Sequence, residues 1–336
     1  LVKGLSETVI LTDNEVKSLL DMGEVLEAVE RAFREKGLGR VQMPPKVYLF
    51  YERYNGDLRV MPSYLKELDV SAVKIVNVHP ENRVKHGLPT VMAVVVLVDP
   101  KSGFPLAVMG GSWLTAMRTG AAGGVAAKHL ARPESEVVCF IGAGTQARTQ
   151  LMALRLVLRD LKVVKVYDIV KEAAEAFASY ASSLIDGVKV EVCSSPEDAV
   201  RGADVVVTVT PSRKPIVMAD WISGGVHFNC IGADAPGKEE LDPNILLKAK
   251  IVVDDYEQAI HSGEVNVPIS KGVLKREDIY GEIGEVVAGL KRGREDRGEV
   301  TVFVSTGLAI QDAVTAKLAY DKAIAKGVGR RLKLAV

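Results

Sequence analysis

The segment Gly142-Ala143-Gly144-Thr145-Gln146-Ala147 constrains this chain more than any other. It lies between an apolar run, Val137 to Gly142, with the character of a strand, and a stretch of helical spacing, Thr145 to Leu158. In such a place Gly142 allows a tight turn, Gly144 lets a backbone approach a pyrophosphate, and Ala147 permits close packing of helix on strand. The anion then meets a helix N-terminus, where free N–H groups and the helix dipole favour negative charge. A lone glycine pattern is a weak signal and reads equally well as a structural turn. Here a second strand follows, Lys162 to Asp168, and its acid stands 21 positions past Ala147, where a carboxylate can bind a ribose 2′-OH. Strand, helix, strand and acid together predict dinucleotide binding. Asp168 would repel a 2′-phosphate and no Arg directly follows it, so NAD is expected over NADP.

The same rhythm continues with a helix from Glu172 to Leu184 and strands at Val188 to Val192, Val205 to Thr210, Val226 to Ile231, Ile251 to Asp254 and Val300 to Val304. Short connections between apolar strands and helices predict an α/β fold with a Rossmann-type doubly wound parallel sheet, covered on both faces. A chain of 336 residues is too long for one comfortable core and suits two domains. The Rossmann domain is placed at residues 124–306. Residues 1–123 with 307–336 form a second α/β domain, because an amphipathic helix from Leu308 to Ala325 is expected to return to it.

In that second domain, Thr12-Asp13-Asn14-Glu15 reads as a helix start, and Val25, Leu26, Val29, Ala32 and Phe33 recur at helical spacing until Gly37 or Gly39. Strands are expected at Lys46 to Tyr51, Leu58 to Met61, Val70 to Val78, Thr90 to Val98 and Pro105 to Met109, with a turn at Asp99 to Gly103. A helix from Thr115 to Leu130 carries Gly120, Gly123 and Gly124, small residues that let another backbone come close. The domain boundary falls inside or just before it.

Lys plus Arg and Asp plus Glu both number 43, so nothing in the charge balance points to nucleic acid or a membrane surface as partner. The longest apolar run, Val91 to Val98, is too short to span a bilayer, and Leu1 to Glu7 lacks the blocks of a signal peptide. Cys139, Cys193 and Cys230 form no C-x-x-C pair and read as inert core thiols of a reducing compartment, the cytoplasm. The five histidines show no ligand spacing, so no metal is expected.

Four cations and two loop residues are candidates for chemistry. Strand alternation puts Lys74 on the face of Ala72, Val76 and Val78, where an ammonium is either a snorkelling edge lysine or a desolvated group with a lowered pKa. Lys46 and Arg59 flank strands and read as surface cations or as ligands of a substrate. Arg118, isolated among small neutral residues, suits a carboxylate or a phosphate. Asp234 follows a sheet strand in Ile231-Gly232-Ala233-Asp234, where ligands of open α/β sheets bind, although Gly and Pro nearby also suit a turn-forming Asp. Ser305 has a similar place and either hydrogen-bonds a cofactor or caps a helix.

Segments along nearly the whole chain resemble the ornithine cyclodeaminase/mu-crystallin family, and within it the archaeal NAD-dependent alanine dehydrogenases. They are Met43 to Tyr48, Lys74 with Asn77, Gly87 to Thr90, Arg118 to Gly123, Gly142 to Ala147, Thr210 to Ser212, Ile231 to Asp234 and Ser305 to Asp312. The resemblance implies a homodimer whose second domain binds substrate and dimerises. It places Lys46, Lys74 and Arg118 around a substrate carboxylate, with Arg59 nearby, and gives Lys74 and Asp234 the catalytic proton transfers. Cofactor contacts fall to Arg118, Gly142, Gly144, Thr145, Gln146, Ala147, Asp168, Thr210, Gly232, Asp234 and Ser305. The implied reaction is reversible oxidative deamination of L-alanine to pyruvate and ammonia. The alternatives are conversion of L-ornithine to L-proline and reduction of a cyclic ketimine. Cyclodeaminases place a Glu before Leu-Met-Pro, suited to a distal ammonium; here Arg59 stands before Val60-Met61-Pro62 and would repel one.

Overall fold

Thr12 starts the helix Asp13–Leu19 as its sequence predicts. Its hydroxyl accepts from the Glu15 N–H at 3.3 Å, and the Glu15 carboxylate accepts from the Thr12 N–H at 2.7 Å. The next helix, Met22–Gly37, starts on Asp21 and buries Val25, Leu26, Val29, Ala32 and Phe33. These features come from a computed structural model that describes residues 7–335. The first six positions, on which most of the signal-peptide reading rests, lie outside the described residues.

The chain divides into two units, one of residues up to Arg118 together with those from Leu308 on, the other Thr119–Gly307. The divisions fall between Arg118 and Thr119 and between Gly307 and Leu308, rather than after 123 and 306. The first lies inside the helix Ser112–Leu130, where the sequence offers no break in periodicity to mark it.

The first unit contributes strands β1 (Thr8–Leu11), β2 (Val41–Gln42), β3 (Val47–Tyr51), β4 (Gly56–Leu65), β5 (Val70–Val78), β6 (Val91–Val98) and β7 (Pro105–Gly110). The second contributes β8 (Val137–Ile141), β9 (Val163–Tyr167), β10 (Lys189–Val192), β11 (Val205–Thr208), β12 (Arg213–Val217), β13 (His227–Cys230), β14 (Glu239–Leu241), β15 (Lys250–Val253), β16 (Ile279–Glu282) and β17 (Thr301–Val304). Strand β18 (Arg330–Leu332) belongs to the first.

The sheet of the first unit runs β18-β1-β7-β6-β5-β4-β2, with β3 also paired to β4. Its pairings are antiparallel except β1 with β7. Strand β4 continues through Pro62, where the sequence reading ended it. The reason is in the register: β3 reaches Val60 and β2 begins opposite Tyr64, so Pro62 falls in the gap and need not donate on that side. Helix Ala309–Lys326 packs on β4, β5 and β6. On the opposite face Val47, Val60, Ile75 and Val94 stand in one cross-strand row, with Val47, Ile75 and Val94 exposed.

The second unit holds a sheet in the order β10-β9-β8-β11-β13-β17-β15-β16, every pairing parallel. Alternation sends Val138 and Phe140 into one core with Leu151 and Phe177, and Cys139 and Ile141 into another with Phe228 and Val302. Both faces are therefore covered, and the strand order reverses at β8, where a ligand crevice is expected. The parallel pair β12–β14 and strand β16 lay below the reach of periodicity, being three to five residues long. Among the described residues no helix is long and apolar enough to cross a membrane.

Gly120 shows what the small residues of Ser112–Leu130 accomplish within the second unit. A Cβ there would lie 2.4 Å from the carbonyl oxygen of Thr149, in the backbone of helix Thr145–Val157. Gly120→Ala should therefore cost about 1–3 kcal/mol, the usual penalty of overpacking, and lower the midpoint of thermal unfolding. An unchanged melting curve would show that this close approach is not required.

Candidate active site

Within the first unit, two cations far apart in sequence meet on one carboxylate. Lys74 points inward from β5, 1% exposed, because its neighbours Ala72 and Val76 share the buried face. Its Nζ donates to Asp312 Oδ1 at 2.9 Å and lies 2.8 Å from Oδ2. Arg118 Nε donates to the same Oδ1 at 2.9 Å, and its Nη1 donates to Gln311 Oε1 at 2.9 Å. Asp312 sits in the first turn of Ala309–Lys326, where the helix dipole favours a negative charge.

Two buried cations thus share one anion. The pKa of Lys74 falls to about 7, first through burial, then through the Arg118 guanidinium; Asp312 opposes the shift and Lys46 adds to it. The apolar face alone left two readings, a snorkelling edge lysine or a desolvated ammonium, and burial decides for the second. The structure adds that a carboxylate is present and is outweighed. Asp312 was missed as a site residue although it closes the segment Ser305 to Asp312; an Asp one turn into an amphipathic helix reads as a dipole partner, and nothing local announces Lys74 or Arg118.

Arg59 is buried and bound to its own neighbour. Its Nε and Nη2 donate to the two oxygens of Asp57 at 3.0 and 2.9 Å, and its guanidinium lies 5.5 Å from the Tyr48 ring centre. Asp57 offsets part of the charge that the sequence reading set against a distal ammonium. The fork also occupies a carboxylate that such an ammonium would need. Lys46, partly exposed, is brought near Lys74 only as an electrostatic neighbour.

In the second unit, Gly142 adopts φ 101°, a conformation suited to glycine, and a Cβ there would stand 3.0 Å from the Val209 carbonyl oxygen. Gly144 caps the helix Thr145–Val157 with no side-chain hydrogen bond, and the space over its Cα is open. Thr145 is exposed and Gln146 partly so, while Ala147 is fully buried against the sheet core. Asp168 follows β9; its Oδ2 accepts from Ala143 N–H at 2.8 Å and its Oδ1 from Val170 N–H at 2.9 Å. The acid predicted for a ribose also holds the glycine loop in shape.

Thr210 and Gly232 follow β11 and β13, and the fully buried Glu240 joins them. Its carboxylate accepts from the Thr210 N–H and hydroxyl, both at 2.7 Å, and from the Gly232 N–H at 3.1 Å. Asp234 is partly exposed and pairs with Lys238 at 2.6 Å. Ser305 is 2% exposed and its hydroxyl has no hydrogen-bond partner among the described residues. It is not the helix cap, a position held by Leu308. Beside it, Asp254 accepts from the N–H groups of Thr306 and Gly307 at 2.6 and 2.7 Å. Among the described residues, no group of three or more His, Cys, Asp or Glu could hold a metal.

The profile of the ornithine cyclodeaminase/mu-crystallin family matches residues 6–327. The chain belongs to this family. An alanine dehydrogenase of Archaeoglobus fulgidus is 55% identical over 327 residues, covering 97% of this chain and 98% of the relative. The solved structure of an archaeal alanine dehydrogenase dimer with bound NAD matches with a TM-score of 0.93 at 56% identity, over 97% of this chain and 99% of that one. Thermococcus litoralis Δ1-pyrroline-2-carboxylate reductase, in complex with NADH and L-proline, also matches with a TM-score of 0.93, at 43% identity over 97% and 100% of the two chains.

The charge balance around Lys74 has a measurable sign. Unfolded, Lys74 keeps its proton to about 10.5; folded, it loses it near 7. Between these values the unfolded chain binds more protons, so Lys74 makes stability rise with pH across that window. Lys74→Met should remove this rise, seen as a difference in urea midpoint between wild type and variant that changes from pH 6.5 to pH 10. A constant difference would mean that Lys74 titrates normally in the fold.

Proposed function

We propose that this chain is an NAD-dependent alanine dehydrogenase, converting L-alanine, NAD and water to pyruvate, ammonia and NADH in a reversible reaction. The observation that carries the reading is the sharing of Asp312 by Lys74 and Arg118, with Lys46 near. A desolvated cluster with more cations than carboxylates is suited to take in one more carboxylate, and the amino-acid substrate brings one. The 55% identical alanine dehydrogenase supports the same choice of substrate.

The residues present fit the cofactor. The open space above Gly144, the N–H groups at the start of its helix and the unpartnered hydroxyl of Ser305 are all groups that a dinucleotide can use. Gly142 through Ala147 would hold the pyrophosphate, Asp168 a ribose, and Thr210, Gly232 and Ser305 the second half. NAD supplies the hydride acceptor for the substrate Cα–H. Arg118 and Lys46 hold the substrate carboxylate. Lys74, whose pKa lies near neutrality, exchanges a proton with the amine as the imine forms and with water as the imine is hydrolysed. Asp234 helps to place and deprotonate the amine or the attacking water, and Lys238 pairs with it there.

A second reading, reduction of a cyclic imine, is favoured by the equal structural likeness of the pyrroline-2-carboxylate reductase. A substrate panel followed by NADH absorbance separates the two. The expected result is NADH from alanine, pyruvate as product, and little turnover of ornithine or of Δ1-pyrroline-2-carboxylate. Faster reduction of the cyclic imine than of pyruvate with ammonia would transfer the assignment. Lys74→Ala should lower turnover about 10²–10⁴-fold while NADH still binds, as expected on loss of a general acid–base group. Asp168→Ser should narrow the preference for NAD over NADP, read as the ratio of kcat/KM for the two cofactors.

The homodimer belongs to the same proposal. The row Val47, Val60, Ile75 and Val94 gives the outer face of the first sheet an apolar surface of the kind a second copy covers. The related alanine dehydrogenase is a dimer. Ile75→Asp should shift the protein to a monomer in light scattering; an unchanged mass would place the interface elsewhere. Cys139, Cys193 and Cys230 are free thiols, which fits the cytoplasm.

A further inference from the structure

Three buried groups outside the proton-transfer scheme hold the loops on the second half of the parallel sheet. Glu240, fully buried on β14, accepts hydrogen bonds from both Thr210 and Gly232. The fit is close: a Cβ at Gly232 would stand 2.2 Å from the Thr210 carbonyl oxygen and 2.6 Å from Glu240 Oε2. Behind it, fully buried Glu264 accepts from the N–H groups of Glu240 and Leu241, both at 2.7 Å. Asn266 then accepts from Gly237 N–H at 2.9 Å and donates to the Lys238 carbonyl at 2.9 Å. The loop that carries Asp234 is therefore held at Gly232 by Glu240 and at Gly237 by Asn266.

We propose that Glu240, backed by Glu264, is a positioning residue for the cofactor: it sets the spacing between the Thr210 loop and the Gly232–Asp234 loop to which the second half of a dinucleotide binds. This rests on the NAD reading above. A carboxylate suits the task because every atom it meets there is a donor, two backbone N–H groups and a hydroxyl, so an amide in its place would turn an N–H₂ toward another N–H.

Burial raises the pKa of both acids, that of Glu264 well above the usual carboxylate range, with Glu240 and Glu239 adding negative charge nearby; hydrogen bonds from Thr210, Thr208 and Gly232 oppose the rise at Glu240. Cys230, at the end of β13, feels both carboxyl groups, and Lys271 pairs with Glu239. Of the two, Glu264 is pushed further toward its neutral form. A folded pKa above the unfolded one means that the folded chain binds more protons, so Glu264 lowers stability as pH rises above the ordinary carboxylate range.

The test uses the full chain with three variants, E240Q, E240D and E264Q, and two measurements: NADH affinity by fluorescence titration, and thermal midpoints without cofactor from pH 6 to pH 9. The expected loss of NADH affinity is tenfold or more for E240Q and smaller for E240D, which keeps the charge and moves it by one methylene. The midpoint of E264Q should gain on wild type as pH rises. E240D replaces E240Q in the comparison if the latter does not fold. Folded Glu240 variants that bind NADH within twofold of wild type would overturn the proposal while leaving the NAD reading intact. Failure of wild type to bind NADH would overturn that reading, and the positioning role with it. A flat difference between E264Q and wild type across pH would mean that the Glu264 pKa is not raised in the fold.

Discussion

Asp312 ties together parts of the first unit that are remote in sequence, 238 positions from Lys74 and 194 from Arg118. Without its carboxylate, a fully buried ammonium and a nearly buried guanidinium would face each other on the inner side of a sheet, an arrangement that burial alone makes costly. With it, strand β5, the helix that begins at Ser112 and the helix Ala309–Lys326 have a common polar anchor amid apolar packing. The return of the C-terminal segment to the first unit is thus explained by more than an amphipathic face. The charge that anchors it is also the charge that leaves room for a further anion.

The second unit solves a different problem by similar means. Parallel strands end in loops whose N–H groups have no ladder to join, and carboxylates take them up: Asp168 holds Ala143, Glu240 holds Thr210 and Gly232, and Asp254 holds Thr306 and Gly307. Each lies near a strand's carboxyl end, where a ligand crevice forms in an open sheet. Rigid loops there are a form of preorganisation, since a loop already held need not be ordered when a ligand arrives.

Much of this was legible in the sequence where one periodicity or one turn carried the information. The strands around Gly142 and Asp168 read correctly because both faces of a parallel sheet are apolar and the turn between them has strict residue requirements. Lys74 was legible as a candidate because β5 alternates cleanly, although that face alone suited an edge lysine as well as a buried one. Asp312 and Glu240 were not assigned, since each draws its meaning from groups 8 to 238 positions away. Arg59 was seen as a charge in a pocket; its neutralising partner Asp57, two residues before it, makes the fork only because both side chains share a strand face. Pro62 misled for a related reason: which side of a strand lacks a neighbour is a property of the sheet.

The cluster on Asp312 has a consequence for where catalytic power must reside. The carboxylate of an α-amino acid is the same group before, during and after oxidation at its neighbouring carbon. Cations that hold it bind the starting compound, the transition state and the product almost alike. Binding of that uniform kind raises occupancy at low concentrations of either compound but cannot by itself lower the barrier between them. On the proposed function, the guanidinium of Arg118 would therefore serve capture in both directions of the reaction. Acceleration, which is shared by both directions, must come from groups that meet the nitrogen and the hydrogen on the carbon, where charge changes.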